Sequence, residues 1–224
     1  MHQKVKITKR QLKEDKFTTF MLQSKDRLQE SWQFFVIGVV VVILAVVAVV
    51  YYFQSKTKSA DEAAAKFSQA LMDYRSGNNQ VAVLSFAQLV EDYGNQPVAE
   101  YATYLLGNAN YRQRNYAEAI RYYEEYLGRY KGDSLVRAGA QAGIAGCFED
   151  QGKYQEAAQK YEQAIAEYPD GPQVGDYHVG AMRCYLAAGD KEKAKEHLDV
   201  IRENYPETAL LQRADREAAE GGLY

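Results

Sequence analysis

The sequence has few residues of the kinds that carry out catalysis or bind metals. Its 224 residues include three histidines, His2, His178 and His197, and two cysteines, Cys147 and Cys184. No pair of them has the spacing of metal ligands, and the sequence contains no glycine-rich phosphate loop and no nucleophile elbow. We therefore predict a protein that is not an enzyme and that uses no metal, no cofactor and no small-molecule substrate.

Charge and proline are both absent from the twenty residues 34–53, FFVIGVVVVILAVVAVVYYF. A helix of this length spans about 30 Å, the thickness of the hydrocarbon core of a bilayer. A secretory signal peptide has a shorter apolar core of about 7–15 residues, and a buried core helix seldom lacks polar residues over so many turns. We predict a single transmembrane helix over residues 33–53, with Trp32 at one end and Tyr51 and Tyr52 at the other in the aromatic belts of the membrane.

The charges on the two sides of this run predict its orientation. Residues 1–33 contain eight lysines and arginines and four acidic residues, whereas the part after the run contains 19 basic and 26 acidic residues. The positive-inside rule keeps a basic head in the cytoplasm and exports the rest. We therefore expect a single-pass protein of the bacterial inner membrane with a periplasmic C-terminal domain. Its net charge of −7 disfavours nucleic acid as a partner.

The basic head, residues 1–32, shows an amphipathic helical pattern. Its apolar stripe recurs at steps of three and four residues and consists of Phe17, Phe20, Met21, Ser24, Leu28 and Trp32. The head could lie on the inner leaflet with its lysines near anionic lipid, or it could dock onto a cytoplasmic protein. Residues 54–60 read as a short polar linker to the next domain.

Residues 61–206 contain four copies of one pattern. Each copy has an apolar helix, a short turn at Gly77, Arg114, Gly152 or Gly189, and a second helix. The second helix carries an alanine, at position 82, 119, 157 or 194, and these alanines are 37 or 38 residues apart. The pattern resembles the tetratricopeptide repeat, in which small residues let the paired helices approach and each repeat stacks on the next. Residues 207–224 would add a capping helix and tail.

This arrangement predicts an all-α protein: one transmembrane helix, an α-solenoid of about four tetratricopeptide-like hairpins, and a C-terminal capping helix. In architecture the chain resembles the ancillary subunit of the SecYEG translocon, a single-pass protein with a short cytoplasmic head and a periplasmic repeat domain. The segment ESWQFFVIGVV enters the membrane, and QSKTKSADEAAAKFSQAL leaves it before the repeats. The resemblance implies protein partners, such as subunits of a membrane complex, the translocon, a chaperone or secreted clients.

In the tetratricopeptide family the first helix of each repeat lines a concave groove, and this register implies a set of partner-binding residues. They are Phe67, Leu71, Tyr74, Arg75, Tyr101, Tyr104, Asn108, Tyr111, Arg112, Gly143 and Arg183. Aromatic rings with Asn and Arg suit the apolar side chains and backbone carbonyls of a bound peptide. The glycines of the third repeat, in AGAQAGIAG, fit either close packing of helices or close approach of a partner's backbone.

The sequence is compatible with two functions. One is a membrane-anchored periplasmic scaffold whose groove binds protein partners, as an accessory of the protein-export translocon or of its chaperones. The other is a fixed structural subunit of another inner-membrane or envelope complex. The two cysteines fall at equivalent positions of adjacent repeats, which favours unpaired core thiols over a disulfide. His178 and His197 are expected to be packing or surface residues.

Overall fold

The computed structural model describes the backbone of residues 9–224 and the side chains of residues 18–20 and 32–224. Within this range the chain is helical, with no strand. The helices, in chain order, are α1 (Lys9–Arg75), α2 (Asn79–Tyr93), α3 (Pro97–Arg112), α4 (Tyr116–Arg129), α5 (Ser134–Asp150), α6 (Tyr154–Glu167), α7 (Val174–Ala188), α8 (Lys191–Asn204) and α9 (Ala209–Glu220).

The chain divides into two compact units, residues 1–58 and 59–224, and α1 contributes to both. In the first unit every side chain of the apolar run 34–53 is exposed. The most apolar stretch of this helix has a mean hydropathy of 3.2 and none of it is buried, so it is a candidate membrane span. A core helix of a soluble domain would instead bury its apolar residues against its neighbours.

Two sequence predictions concern residues 1–60. Residues 54–60, expected as a polar linker, are helical, since no proline or glycine interrupts them. The apolar stripe of the head lies outside the described side chains except for Phe20 and Trp32, which are 67% and 62% exposed.

In the second unit, the four predicted hairpin turns are all present. The residues at the turns have left-handed backbone conformations, with φ of 81° at Gly77, 60° at Arg114, 74° at Gly152 and 84° at Gly189. Glycine adopts this conformation without steric cost. At Arg114 the β-carbon makes the same conformation sterically unfavourable. The alanine that follows each turn, at positions 82, 119, 157 and 194, is completely buried. These alanines allow the two helices of each hairpin to pack closely.

The hairpins stack through three clusters of buried side chains, each shared by neighbouring helices. The first is built around Phe86, Leu89 and Leu106. The second contains Tyr123, Tyr126 and Ile144, and the third contains Met182, Tyr185, Leu198 and Ile201. Since α3 packs on α4 and also on α5, consecutive first helices lie side by side. This arrangement is an α-solenoid, in which each repeat covers the apolar face of the next.

At equivalent positions of two successive junctions between repeats, a tyrosine ring packs onto a glycine. A β-carbon at Gly143 of α5 would lie 2.5 Å from the ring of Tyr123 in α4, and one at Gly180 of α7 would lie 2.7 Å from the ring of Tyr161 in α6. Real β-carbons do not approach other atoms so closely, so only glycine fits. Gly143 of the third repeat is therefore explained by close packing of helices, and a bound partner is not needed to account for it.

The last helix, α9, closes the array as the sequence predicted. Its buried residues Ala214 and Ala218 face α7 and α8, while its outward residues are polar. Three ion pairs with α7 and α8 hold it in place: Arg183–Glu217, Arg213–Asp176 and Arg202–Asp215. The predicted all-α architecture of four hairpins and a capping helix is thus confirmed.

Candidate functional site

A groove of about 390 Å³ runs across the first helices of repeats two, three and four, near their N-terminal ends. Its walls come from α3, α5 and the start of α7. The lining residues are Tyr101, Tyr104, Leu135, Val136, Gly139, Ala142, Gln173 and Tyr177. The surface is mostly apolar and aromatic, with phenol hydroxyls and one amide to accept or donate hydrogen bonds. Such a surface can hold an apolar side chain and bond to the backbone beside it.

Tyr101 and Tyr104 form the α3 wall of the groove. Their rings stack with centroids 5.9 Å apart. Tyr104 also contacts the buried rings of Tyr123 and Tyr126, at 6.0 and 5.9 Å, so the core holds its orientation. Tyr101 is 44% exposed and packs on the inner side against Phe67, at 6.1 Å. The Tyr104 ring is therefore held in place by the core, whereas the exposed part of the Tyr101 ring is accessible to a partner.

The opposite wall is formed by α5 and α7. Leu135 is 38% exposed at the second position of α5, and Gly139, one turn later, leaves room for the Tyr104 hydroxyl. Burial raises the pKa of Tyr177 to about 12, and Tyr104 and Asp176 add to this effect. Burial also raises the pKa of Tyr104. Tyr104 and Tyr177 therefore stay neutral at physiological pH and remain able to donate hydrogen bonds.

Sequence reasoning found Tyr101 and Tyr104 but missed Leu135, Val136, Gln173 and Tyr177. The four missed residues lie at or next to the joints between repeats, where α5 and α7 begin. The sequence feature that pointed to them is the repeat period of 37–38 residues, which exceeds the usual period of about 34 in this family. The additional residues lie in these joints. Those extra residues could have been considered as part of the groove.

The predicted residues of the first repeat lie beside the groove and not in it. Phe67, Leu71 and Tyr74 are half-buried against the first core cluster. Arg112 lies over the ring of Tyr74, with its guanidinium carbon 3.9 Å from the ring centroid, and donates to the Tyr74 carbonyl at 3.2 Å. Arg75 is exposed at the end of α1.

Two further predicted residues of α3 make contacts inside the array. Asn108 accepts a hydrogen bond from the Tyr123 hydroxyl at 2.7 Å through its Oδ1. Tyr111 packs against Tyr116, with ring centroids 6.0 Å apart, and its hydroxyl lies near Gly146. These contacts orient α3 on α4 and α5. Their role as partner-binding residues stays a prediction.

For Gly143 and Arg183 the structure offers a different explanation from partner binding. Gly143 faces the Tyr123 ring, as described above. Arg183 is paired with Glu149 of α5 and with Glu217 of α9, so its charge is used within the array. The pair with Glu149 is bidentate, the strongest geometry for an arginine and a carboxylate. The role of both residues in partner binding stays a prediction.

The sulfur and imidazole groups lie elsewhere in the fold. Cys147 and Cys184 are free thiols and completely buried, and burial raises the pKa of each to about 12. Such thiols are poor nucleophiles and poor metal ligands. No group of three metal-binding side chains occurs among the side chains that the structure describes. His178 and His197 contact each other in the last hairpin.

Comparison with known protein families agrees with this architecture. A family model described as a tetratricopeptide repeat-like domain matches residues 25–173, about two thirds of the chain. The chain belongs to this family. A second model, described as a tetratricopeptide repeat, matches residues 148–216 of this repeat protein and so extends the match into α9. No curated protein matches the sequence significantly.

Solved structures of other repeat proteins share the fold at low sequence identity. A putative kinesin light chain with tetratricopeptide-like repeats from Podosopora anserina is 20% identical, with a TM-score of 0.58, over 70% of this chain and 83% of that one. A tetratricopeptide repeat protein from Parabacteroides merdae is 15% identical, with a TM-score of 0.60, over 73% and 60%. The pilF protein of Pseudomonas aeruginosa is 17% identical, with a TM-score of 0.53, over 69% and 66%. These likenesses concern the fold alone.

Proposed function

We propose that this repeat protein is a membrane-anchored scaffold that binds segments of other proteins in the groove between α3, α5 and α7. Tetratricopeptide repeats mediate contacts between proteins, and their stacked helices form extended concave surfaces that serve this purpose. The observation that carries the proposal is the groove itself. Its Tyr101 and Leu135 are large side chains that remain 44% and 38% exposed in the groove.

The apolar run 34–53 is the proposed anchor. Its length matches the bilayer core, and its exposed side chains have no protein neighbour to cover them. Trp32, Tyr51 and Tyr52 are 62%, 72% and 63% exposed at its two ends, where aromatic side chains meet the headgroups. The excess of lysine and arginine before the run favours a cytoplasmic head and a periplasmic array in a bacterial inner membrane.

The proposed process is protein export. The order of basic head, span and repeats resembles the ancillary subunit of the SecYEG translocon. The match to the family model begins at residue 25, before the apolar run, so the span and the repeats are matched as one unit. On this proposal the groove captures polypeptide segments or a chaperone next to the export channel. The lipid bilayer and export components are then its partners.

Site-specific photocrosslinking in intact cells tests the groove. A photoreactive phenylalanine analogue at Tyr101, 44% exposed in the groove, should crosslink to an export component, a chaperone or a secreted protein. Tyr154 is the matched control, since it is a 38% exposed tyrosine at the start of α6, outside the groove. Equal products from positions 101 and 154 would contradict binding in the groove.

The stoichiometry of the crosslinked partner separates the two functions that the sequence left open. A scaffold for clients should yield several products in ratios that change with the load of secreted protein. A fixed structural subunit should yield one product at a constant ratio. Protease added to the outside of spheroplasts tests the topology, because it should remove the repeats and leave the basic head protected.

A further inference from the structure

Two histidines of the last hairpin touch through the same type of ring nitrogen. Nδ1 of His178 in α7 lies 2.8 Å from Nδ1 of His197 in α8. The two rings are tilted by 55° with centroids 5.1 Å apart, and the ring of Tyr185 stacks on His197 at 5.7 Å. His178 directly follows the groove residue Tyr177 in the sequence. This contact therefore joins α8 to the part of α7 that lines the groove.

Hydrogen-bond chemistry limits the protonation states that allow such a contact. Only one hydrogen fits between two nitrogens 2.8 Å apart, so one Nδ1 must donate and the other must accept. Nε2 of His197 lies 3.6 Å from the Glu162 carboxylate, which favours a proton on that nitrogen. Glu162 is held by the Tyr185 hydroxyl, which donates to it at 2.8 Å. His197 is thus the acceptor and His178 the donor.

The charged groups around the pair come from α6 and α8. Glu162 belongs to α6, and Lys193 and Glu196 belong to α8 with His197. Lys193 lies over the ring of Tyr185 and donates to its hydroxyl at 3.3 Å. The charged residues of α9 that face α7 and α8 are engaged in the ion pairs Arg213–Asp176, Arg202–Asp215 and Glu217–Arg183. Glu162 is thus the carboxylate in contact with the pair, and it lies on the His197 side.

We propose that the His178–His197 contact is an acid-sensitive latch that holds α8 on α7 while His197 accepts at Nδ1 and that opens when both rings are protonated. Two imidazolium rings would place two N–H groups and two positive charges against each other at this distance. The hairpin would then loosen next to Tyr177. Release of a groove occupant in acid is a further consequence that rests on the proposed function, whereas the latch itself does not.

The electrostatics of the site agree with a latch that is closed at neutral pH. Burial lowers the pKa of His178 to about 4, and the nearby His197 adds to this effect. Burial also lowers the pKa of His197, and Glu162 partly opposes this shift. Histidines with pKa values lowered in the folded state destabilise it as the pH falls from about 6.5, their ordinary pKa, towards the folded value. The loss should therefore develop between about pH 6.5 and pH 4 and not above this range.

Hydrogen exchange of the full chain in detergent, at pH 7 and pH 4 with EDTA present, tests the latch. Helices α3 and α4 serve as an internal control, because residues 97–129 contain no histidine. After correction for the intrinsic pH dependence of exchange, protection of α7 and α8 should fall at least about tenfold more than that of α3 and α4. EDTA removes any metal that could bridge the two Nδ1 atoms.

The substitution His178→Asn supplies the second arm of the test. The asparagine amide can donate to His197 Nδ1 from the same position or turn its oxygen to a protonated ring, and it does not titrate. In H178N, the protection of α7 and α8 at pH 4 should fall only a few-fold more than that of α3 and α4. An equal fall of protection in α3–α4 and α7–α8 of the unaltered protein overturns the proposal, as does an unchanged extra loss in H178N. The first comparison needs no variant, so a failure of H178N to fold leaves it intact.

Discussion

Repeats two and four have the same pair of helices but are stabilised by different chemistry. In repeat two, the ring of Tyr104 contacts the rings of Tyr123 and Tyr126 with centroids 6.0 and 5.9 Å apart. In repeat four, arginines bridge to carboxylates on neighbouring helices, and two histidines meet. Ring packing depends little on salt or pH, whereas ion pairs and imidazoles respond to both. Repeat two should therefore be less sensitive to salt and pH than repeat four.

The largest expected effect is in the tyrosine-packed repeat. Tyr123 is completely buried between Gly107 and Gly143, so Tyr123→Ala should lower the free energy of unfolding by about 3–5 kcal/mol. The exposed Tyr154 provides the control, and Tyr154→Ala should change it by less than about 0.5 kcal/mol. Urea unfolding of the full chain in detergent, followed by circular dichroism, measures both. Similar losses for the two variants would show that Tyr123 is not a central core residue.

A smaller effect tests the contact between repeats two and three. Gly143→Ala places a β-carbon 2.5 Å from the Tyr123 ring and should destabilise the protein by about 1–3 kcal/mol. Gly128→Ala in α4 has open space around it and should stabilise the protein by about 0.5–1 kcal/mol, because alanine favours the helix. Thermal unfolding should separate the two variants in opposite directions. A stabilising Gly143→Ala would mean that the Tyr123 ring moves aside without cost.

The smallest expected effect concerns the ion pairs of repeat four. Arg183→Met removes the bridge between Glu149 and Glu217 and should cost up to about 1 kcal/mol at low salt, since these groups are partly exposed. The loss should shrink in about 1 M NaCl, where charges are screened. Limited proteolysis of α9 is the readout. Arg121→Met, which removes exposed pairs on α4, should leave that proteolysis unchanged at either salt concentration.

Much of the fold could be predicted from spacing, because each hairpin repeats the same local requirements. The recurring alanines and turn glycines identify helices that must approach closely, and all four turns have the left-handed conformation that glycine favours. Arg114 takes the same conformation as the glycines of the other turns. Its position in the pattern, and not its residue type, predicted the turn.

The candidate site could be predicted less well, because it depends on contacts between residues about one repeat apart. Arg183 looked available for a partner, yet Glu149 and Glu217 lie 34 residues before and after it and neutralise its charge. Tyr177 was not among the predicted groove residues, yet the fold brings it into the groove with Tyr104. A single repeat specifies its own hairpin but not the side chains that its neighbours place against it.

The tyrosine and glycine contacts between repeats also determine which repeat could be copied to make a longer protein. Residues 134–168 carry both halves of the contact, with Gly143 to receive a ring from the preceding repeat and Tyr161 to pack onto a glycine in the following one. The second repeat has Leu106 one period before Gly143, and the fourth has Leu198 one period after Tyr161. The third repeat is thus the natural template for an extended array, since tandem duplicates of it would be complementary to each other at every junction.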